Sequence, residues 1–520
     1  MPTAPPATVA GSARPSSGRL VGAGALALAA AAGLAAVAAG LSGEPVAAAV
    51  GLVGLALLWW CFSERRTDRT LAVLGLYLGL LDGYLKLRTG SSVATLGRDV
   101  LIVAITAGVL GRALARGERL SLAPLGGFVV SFAAVVLIET LNPQVGSPAR
   151  AIGGVRQHLE FVPLFFLGYL VVRDRSRIRG LLYVLVLCGA LNGIVSYVQS
   201  TLTPAELADW GAGYRERVLG ERAFAGAARV AYGANGERAV RPFGLGSDMG
   251  AGAVAAAIAL PAALTLLLRG TWALRLALLP VLGALALAVA TSGTRAGVIT
   301  ACAAVVAFAA LAAATRNGRR IALGLGLACV LVFAAFAQID GGGANAERTR
   351  SVLSLDFVSR FFDERGDSVR MFPEYAVDHP LGIGVGSVGP AASAFGERSE
   401  TARTFDAETE WNYLVLETGV IGVLLYLGLN ARVLGLAITR IRRYVDPTLR
   451  LELAAIAAPL LALLVAGFAG PTSSSVPATP YFWLACGVLA YWLVTAPRRG
   501  PPTAADPPIG TAAGPRRPPG

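Results

Sequence analysis

The stretch DMGAGAVAAAIALPAALTLLLRGTWALRLALLPVLGALALAVATSGTR, Asp248–Arg295, decides the fold. It holds two apolar runs, 248–268 and 273–291, with Arg269 between them and Arg275 at the start of the second. Each run matches the ~20 residues a helix needs to cross ~30 Å of hydrocarbon. Working outward, runs of the same kind recur at 20–41, 46–62, 71–87, 98–115, 123–140, 160–172, 180–199, 296–315, 321–338, 412–430, 451–469 and 480–496. The pattern predicts an all-α polytopic membrane protein with about 12–14 transmembrane helices and one large extracytoplasmic loop.

Composition agrees. Of 520 residues, 55% are hydrophobic and 15% charged, against roughly 25% charged in soluble domains. Mean hydropathy is +0.62. Five cysteines and two histidines provide neither a disulfide framework nor a metal-ligand cluster, so no cofactor and no metal is expected. Lys86 is the one lysine beside 44 arginines, and the net charge is +13. That charge does not point to nucleic acid, because its placement is a topology signal. Alternate connections carry Arg65, Arg66 and Arg69; Arg112, Arg116 and Arg119; Arg173, Arg175, Arg177 and Arg179; Arg269 and Arg275; Arg316, Arg319 and Arg320; and Arg432, Arg440, Arg442 and Arg443. Short arginine-rich loops stay cytoplasmic, which puts the protein in the cytoplasmic membrane with both termini inside. Anionic membrane lipids are then natural neighbours of these loops.

Residues 1–19 and 497–520 are rich in Pro, Ala, Gly and Ser and read as disordered cytoplasmic tails. The apolar run near the N-terminus exceeds a signal-peptide core and reads as an uncleaved first helix. Between the tails lie a transmembrane bundle, 20–338, with outer loops 141–159 and 200–247; the large extracytoplasmic loop 339–411; and the C-terminal helices 412–496.

Ionisable residues within apolar spans are costly and are functional candidates by default. Asp82 and Lys86 stand one helical turn apart, as a self-neutralising pair or as part of a polar cavity with Arg98 and Asp99. On the outer side, arginines recur at helix mouths. Arg156 lies in GGVRQHLEFVPLFF beside His158, and Arg241 in GERAVRPFGLGSDMGAG. Arg295 sits in the short turn TSGTRAG, and Arg370 in RGDSVRMFPEYAVDHPLGIGVGSVG. A guanidinium held there must meet a carboxylate, carbonyls or an anionic ligand. The run Gly382–Gly389, GIGVGSVG, has no Lys-Ser/Thr after it and no βαβ context. It reads as a tight re-entrant turn that lets backbones approach closely. Glu408, Glu410 and Glu417 mark the entry into the span that follows, as helix N-terminal charges or as candidate bases.

Four ordered pieces together resemble the O-antigen ligase and Wzy-type polysaccharide polymerase family: RPFGLGSDMGAG, TSGTRAG, VRMFPEYAVDHPLGIGVGSVG and ETEWNYLVLETGVIGVLLYL. The agreement covers about 240–430. Two departures stand out. The turn reads Thr-Arg-Ala-Gly at 294–297, and Glu408 and Thr409 occupy the place where many ligases carry His-Asn. The second leans toward polymerase. The resemblance implies a glycosyltransferase that transfers or polymerises glycan from a polyprenyl-pyrophosphate-linked donor to a glycan or lipid-linked acceptor. The reaction would run at the outer membrane face, invert the anomeric centre and need no metal. It implies that Arg241, Arg295 and Arg370, with Arg156 as a fourth, clamp the diphosphate, and that Glu408, or Glu410 in its place, is the general base. The rival reading is a polytopic transporter or lipid-linked glycan flippase, for which symmetric broken helices and midplane charges are the expected signs.

Overall fold

A computed structural model of the chain describes residues 45–90, 93–117, 122–220, 230–232, 238–312, 357–389, 392, 405 and 408–496. The expected spans at 20–41 and 321–338 and both tails lie outside the described residues.

The other expected spans all fall on helices: α1 Pro45–Ser63, α2 Thr67–Thr89, α3 Val93–Ala115, α4 Gly126–Ile138, a short α6 Pro163–Val171 and α7 Arg175–Ser200. After them come α10 Ala251–Arg269, α11 Trp272–Thr291, α12 Arg295–Ala312, α14 Glu410–Arg440, α15 Pro447–Ala466 and α16 Ala478–Thr495. Among the described residues eight helices (α2, α7, α10, α11, α12, α14, α15 and α16) are long and apolar enough to cross a membrane. The protein is thus an all-α polytopic membrane protein. The stretches expected outside the bilayer hold α5 Pro148–Leu159, two short helices (α8 Pro204–Ala208 and α9 Ala212–Leu219), a hairpin of β1 Val230–Tyr232 and β2 Arg238–Val240, and α13 Phe357–Asp378.

Composition explains the packing. α10 is mostly Ala and Leu, and among the described spans it is the most enclosed, packed by α7, α11, α12 and α15. Lipid offers apolar surface as good as another helix, so small residues that let backbones approach drive association. A Cβ placed on Gly193 of α7 would lie 2.1 Å from the Ala284 carbonyl oxygen of α11, and one on Gly189 2.5 Å from Ala259 Cβ of α10. Side chains such as Val103, Leu279, Val306 and Leu424 face outward as the lipid-exposed surface.

At the arginine-rich end, guanidiniums cap the C-terminal carbonyls of helices. Arg112 donates to Phe62 O of α1, Arg442 to Ala310 O of α12 and Arg440 to Leu493 O of α16. Glu452, 0% exposed on α15, is met there by Arg175 and Arg179 of α7 and Arg269 of α10. The opposite end, where α7 and α11 finish and α10, α12 and α14 begin, carries the candidate polar residues described below.

One long helix is broken. At Gly419 φ is 65° and ψ −176°, dividing α14 into two halves. A Cβ there would press to 2.6 Å from the Leu381 carbonyl carbon. The backbone groups freed by the break are met by the incoming chain. Ile383 N–H donates to Leu416 O at 2.6 Å and Val420 N–H to Pro380 O at 2.9 Å. A break at membrane depth survives where its polar groups are satisfied in this way.

Candidate active site

The described contacts join the candidate segments into one belt at the end opposite the Glu452 cluster. It begins at the turn before α12. A Cβ on Gly250 would lie 2.8 Å from Thr294 Cγ2, so the loop carrying Arg241 and the turn carrying Arg295 touch. That loop is fixed by side chains of α7. Gln199 Oε1 accepts from the N–H groups of Phe243 and Gly244 at 2.8 and 2.9 Å, and Asn192 Oδ1 from Leu245 N–H at 2.9 Å. Such full pairing holds an irregular loop over a hydrophobic bundle. Arg241 and Arg295 are half-buried on adjoining segments.

The same loop leans on α2, where a Cβ at Gly83 would lie 2.3 Å from the Gly246 carbonyl carbon. Next to Gly83 stands Asp82, fully buried. Asp82 pairs with Arg98 of α3 at 2.9 Å. Arg98 also donates through Nη2 to Glu160 at 2.8 Å, and Arg156 donates to Asp99 at 2.7 Å. Asp82 and Asp99 thus share one polar network with Arg98, Arg156 and Glu160. Asp82 follows a single turn of π-helix at Tyr77–Leu81, which turns this stretch of α2 out of regular register.

From Arg156 the belt runs along α5 to the glycine run. Gly154 and Gly386 meet backbone to backbone, where a Cβ on Gly386 would lie 2.2 Å from Arg150 O. Gly382, Gly384, Gly386 and Gly389 all have positive φ. This is the tight turn expected from GIGVGSVG, wedged between α5 and α14. Its end is fastened by Glu417, whose Oε1 accepts Val388 N–H at 3.1 Å and whose Oε2 lies 2.8 Å from His158 Nε2. Tyr413 stacks on His158 with ring centroids 5.2 Å apart. All three side chains are buried. Sequence reasoning placed His158 and Glu417 near the outer face but missed their partnership, because 259 residues separate them. Glu160 was passed over inside a quoted motif, although its i,i+4 spacing from Arg156 was a usable signal.

The two candidate bases part company. Glu408 is exposed just before Thr409, whose hydroxyl caps α14 by accepting Asn412 N–H at 3.2 Å. Glu410 is buried, and its Oε2 accepts the N–H groups of Thr472 and Ser473 at 2.5 and 3.0 Å. A carboxylate so engaged holds the turn after α15.

The four arginines differ as well. The guanidinium of Arg156 already faces Asp99 and, at 3.6 Å, Glu160. Beside it opens a depression of about 750 Å³ lined by Asn142, Pro143, Ser147, Ile152 and Val155. Arg370, with its side chain 82% exposed, projects from α13 and has Asp367 at 3.8 Å. α13 itself is tied to the site by Asn412 Nδ2, which donates to Ser368 O at 2.6 Å. The structure therefore brings the Arg241 and Arg295 segments together, sets Arg156 into a carboxylate network, and leaves Arg370 on an exposed face.

Among curated proteins nothing matches the chain. The family model described as O-antigen ligase matches residues 280–427. The matched stretch runs from within α11 through Arg295, α13, Arg370, the glycine run, Glu408 and Glu410 into α14, and leaves out Arg156 and Arg241. This match supports a ligase- or polymerase-type role in glycan transfer. Over residues 280–427, then, this polytopic helical membrane protein is similar to the O-antigen ligase family.

Proposed function

We propose that the protein transfers or polymerises glycan from a polyprenyl-pyrophosphate-linked donor, at the face of the cytoplasmic membrane away from the cytoplasm. The single observation that carries this reading is the packing of the Arg241 loop against the Thr294–Arg295 turn, which puts two half-buried arginines at one helix-lined end of the bundle. The leaving diphosphate gains negative charge as the glycosidic bond breaks. Guanidinium groups, permanently charged and planar, grip phosphate oxygens bidentately, and more strongly near low-dielectric surroundings.

In this reading Arg241 and Arg295 form the centre of the clamp. Arg156, its charge shared with Asp99, flanks them above the 750 Å³ depression. Arg370 belongs to the exposed face of α13 and reaches the donor from the aqueous side. Glu408 takes the proton of the acceptor hydroxyl as its oxygen bonds to the anomeric carbon. The electron pair of the breaking C–O bond leaves with the diphosphate. Glu408 suits this role better than Glu410, because an acceptor glycan reaches an exposed carboxylate and not one closed over by Thr472 and Ser473. The arginine-rich end then faces the cytoplasm, in keeping with the positive-inside rule. The break at Gly419 gives a transporter no support, since the chain's own Pro380–Ile383 segment satisfies it.

The test is a reconstitution. Purified protein in proteoliposomes, supplied with a lipid-linked glycan, is expected to yield covalently extended or transferred glycan together with released polyprenyl diphosphate. Movement of the intact lipid-linked glycan between leaflets without covalent transfer would establish the flippase reading instead.

A further inference from the structure

A second cavity, of about 280 Å³, lies between α2 and α7 with α6 and α16 behind it, and its inner end at Gly79 and Cys188 comes within a helical turn of Asp82 and Asn192. Its polarity is one-sided. Asp68, Arg69, Ser176 and Arg177 stand at the mouth, and the walls run inward through apolar side chains to Cys188 and Ala255. The mouth belongs to the arginine-rich end, where α2 and α7 both begin.

We propose that this cavity holds one acyl chain of a glycerophospholipid from the leaflet at the arginine-rich end, with its phosphate at the mouth. Three features fit that occupant. First, depth: Cys188 lies twelve residues along α7 from Ser176, about 18 Å of helix. That is a little over half of ~30 Å of hydrocarbon, the reach of a single leaflet. Second, charge: two helix N-termini direct their positive ends at the mouth. Arg177 is tied to Asp174 at 2.8 Å, whereas Arg69 is an exposed cation on the rim. Third, chemistry: apart from its mouth the lining is overwhelmingly apolar, so water would find few partners there. A lipid so seated would brace α2, the helix that carries Asp82, against α7, which pins the Arg241 loop. The site is separate from the proposed glycan chemistry and stands whether or not that proposal holds.

The test uses the full-length protein purified in detergent, washed extensively and examined by native mass spectrometry with lipid extraction. Wild type is expected to retain about one glycerophospholipid per chain. In Gly180→Leu the new side chain enters the cavity wall, where a Cβ meets no atom within 4 Å. Leucine also favours helix over glycine, so the fold is kept and retention is expected to fall at least fivefold. Arg69→Ala, at an exposed position, is expected to lower retention two- to fivefold. Melting temperature and monodispersity of both variants confirm that they are folded. Retention equal to wild type in folded Gly180→Leu, no phospholipid held by wild type, or a polyprenyl lipid recovered as the bound species would each overturn the assignment.

Discussion

The two ends of the bundle handle buried charge in opposite ways. At the arginine-rich end one buried carboxylate, Glu452, is surrounded by Arg175, Arg179 and Arg269, while neighbouring arginines close off helix carbonyls. Charges there are spent on each other and on backbone, which makes a staple. At the opposite end Asp82, Asp99 and Glu160 outnumber Arg98 and Arg156 within their network, and Arg241 and Arg295 stand half-buried on loops beside it. The Arg241 loop is held by exacting hydrogen bonds with Gln199 and Asn192, and the turn before Arg295 by Ser292. Rigid positioning of cationic side chains at a membrane surface is what an anionic leaving group requires. The contrast teaches that an arginine count does not locate function; what each guanidinium already touches does.

Substitutions at the two ends should separate activity from stability. The largest effect is expected from Arg295→Ala: glycan transfer falls about 10²–10³-fold while the thermal unfolding midpoint stays near wild type. A folded Arg295→Ala protein with full transfer would erase the distinction between the ends. Next comes Glu408→Gln, which should cut turnover about 10²-fold without moving the midpoint. Glu410→Gln should instead lower the midpoint, since Thr472 and Ser473 lose a charged acceptor. At the other end Glu452→Gln leaves three guanidiniums facing one another. It should cost as much as ~3 kcal/mol, less to the extent that water screens the partly exposed arginines, with transfer per folded molecule unchanged. Smaller again is Gly386→Ala, which combines φ of 76° with a Cβ 2.2 Å from Arg150 O. A penalty of about 1–3 kcal/mol is expected, read as a lower midpoint.

Much of this architecture was legible beforehand because it rests on local composition. Twenty apolar residues in a row specify a spanning helix almost regardless of neighbours, so α7, α10, α11 and α15 fall where hydropathy placed them. The glycine run was readable as a tight turn, since only residues without Cβ pack as Gly386 does against Arg150. What stayed hidden depends on partners distant in sequence. Asp82 could be seen to need a cation, but only the fold chose Arg98 over Lys86. Glu417 was legible as a charge at the helix entry, but its bond to His158 exists because α5 lies across α14. That Gly419 breaks its helix follows from Pro380–Ile383 pressing in beside it. For the site, Arg241 and Arg295 were legible as helix-mouth arginines, whereas the difference between Glu408 and Glu410 came only with burial.

The central claim is that a lipid diphosphate sits among the helix-mouth arginines and not at the staple. Photo-crosslinking with a polyprenyl diphosphate analogue carrying its reactive group beside the phosphates, followed by peptide mapping, addresses it most directly. Adducts confined to the segments around 241–250, 294–297 and 408–410 are the predicted result. Adducts concentrated at Arg175–Arg179 and Arg269, or spread evenly over the lipid-facing helices, would contradict it.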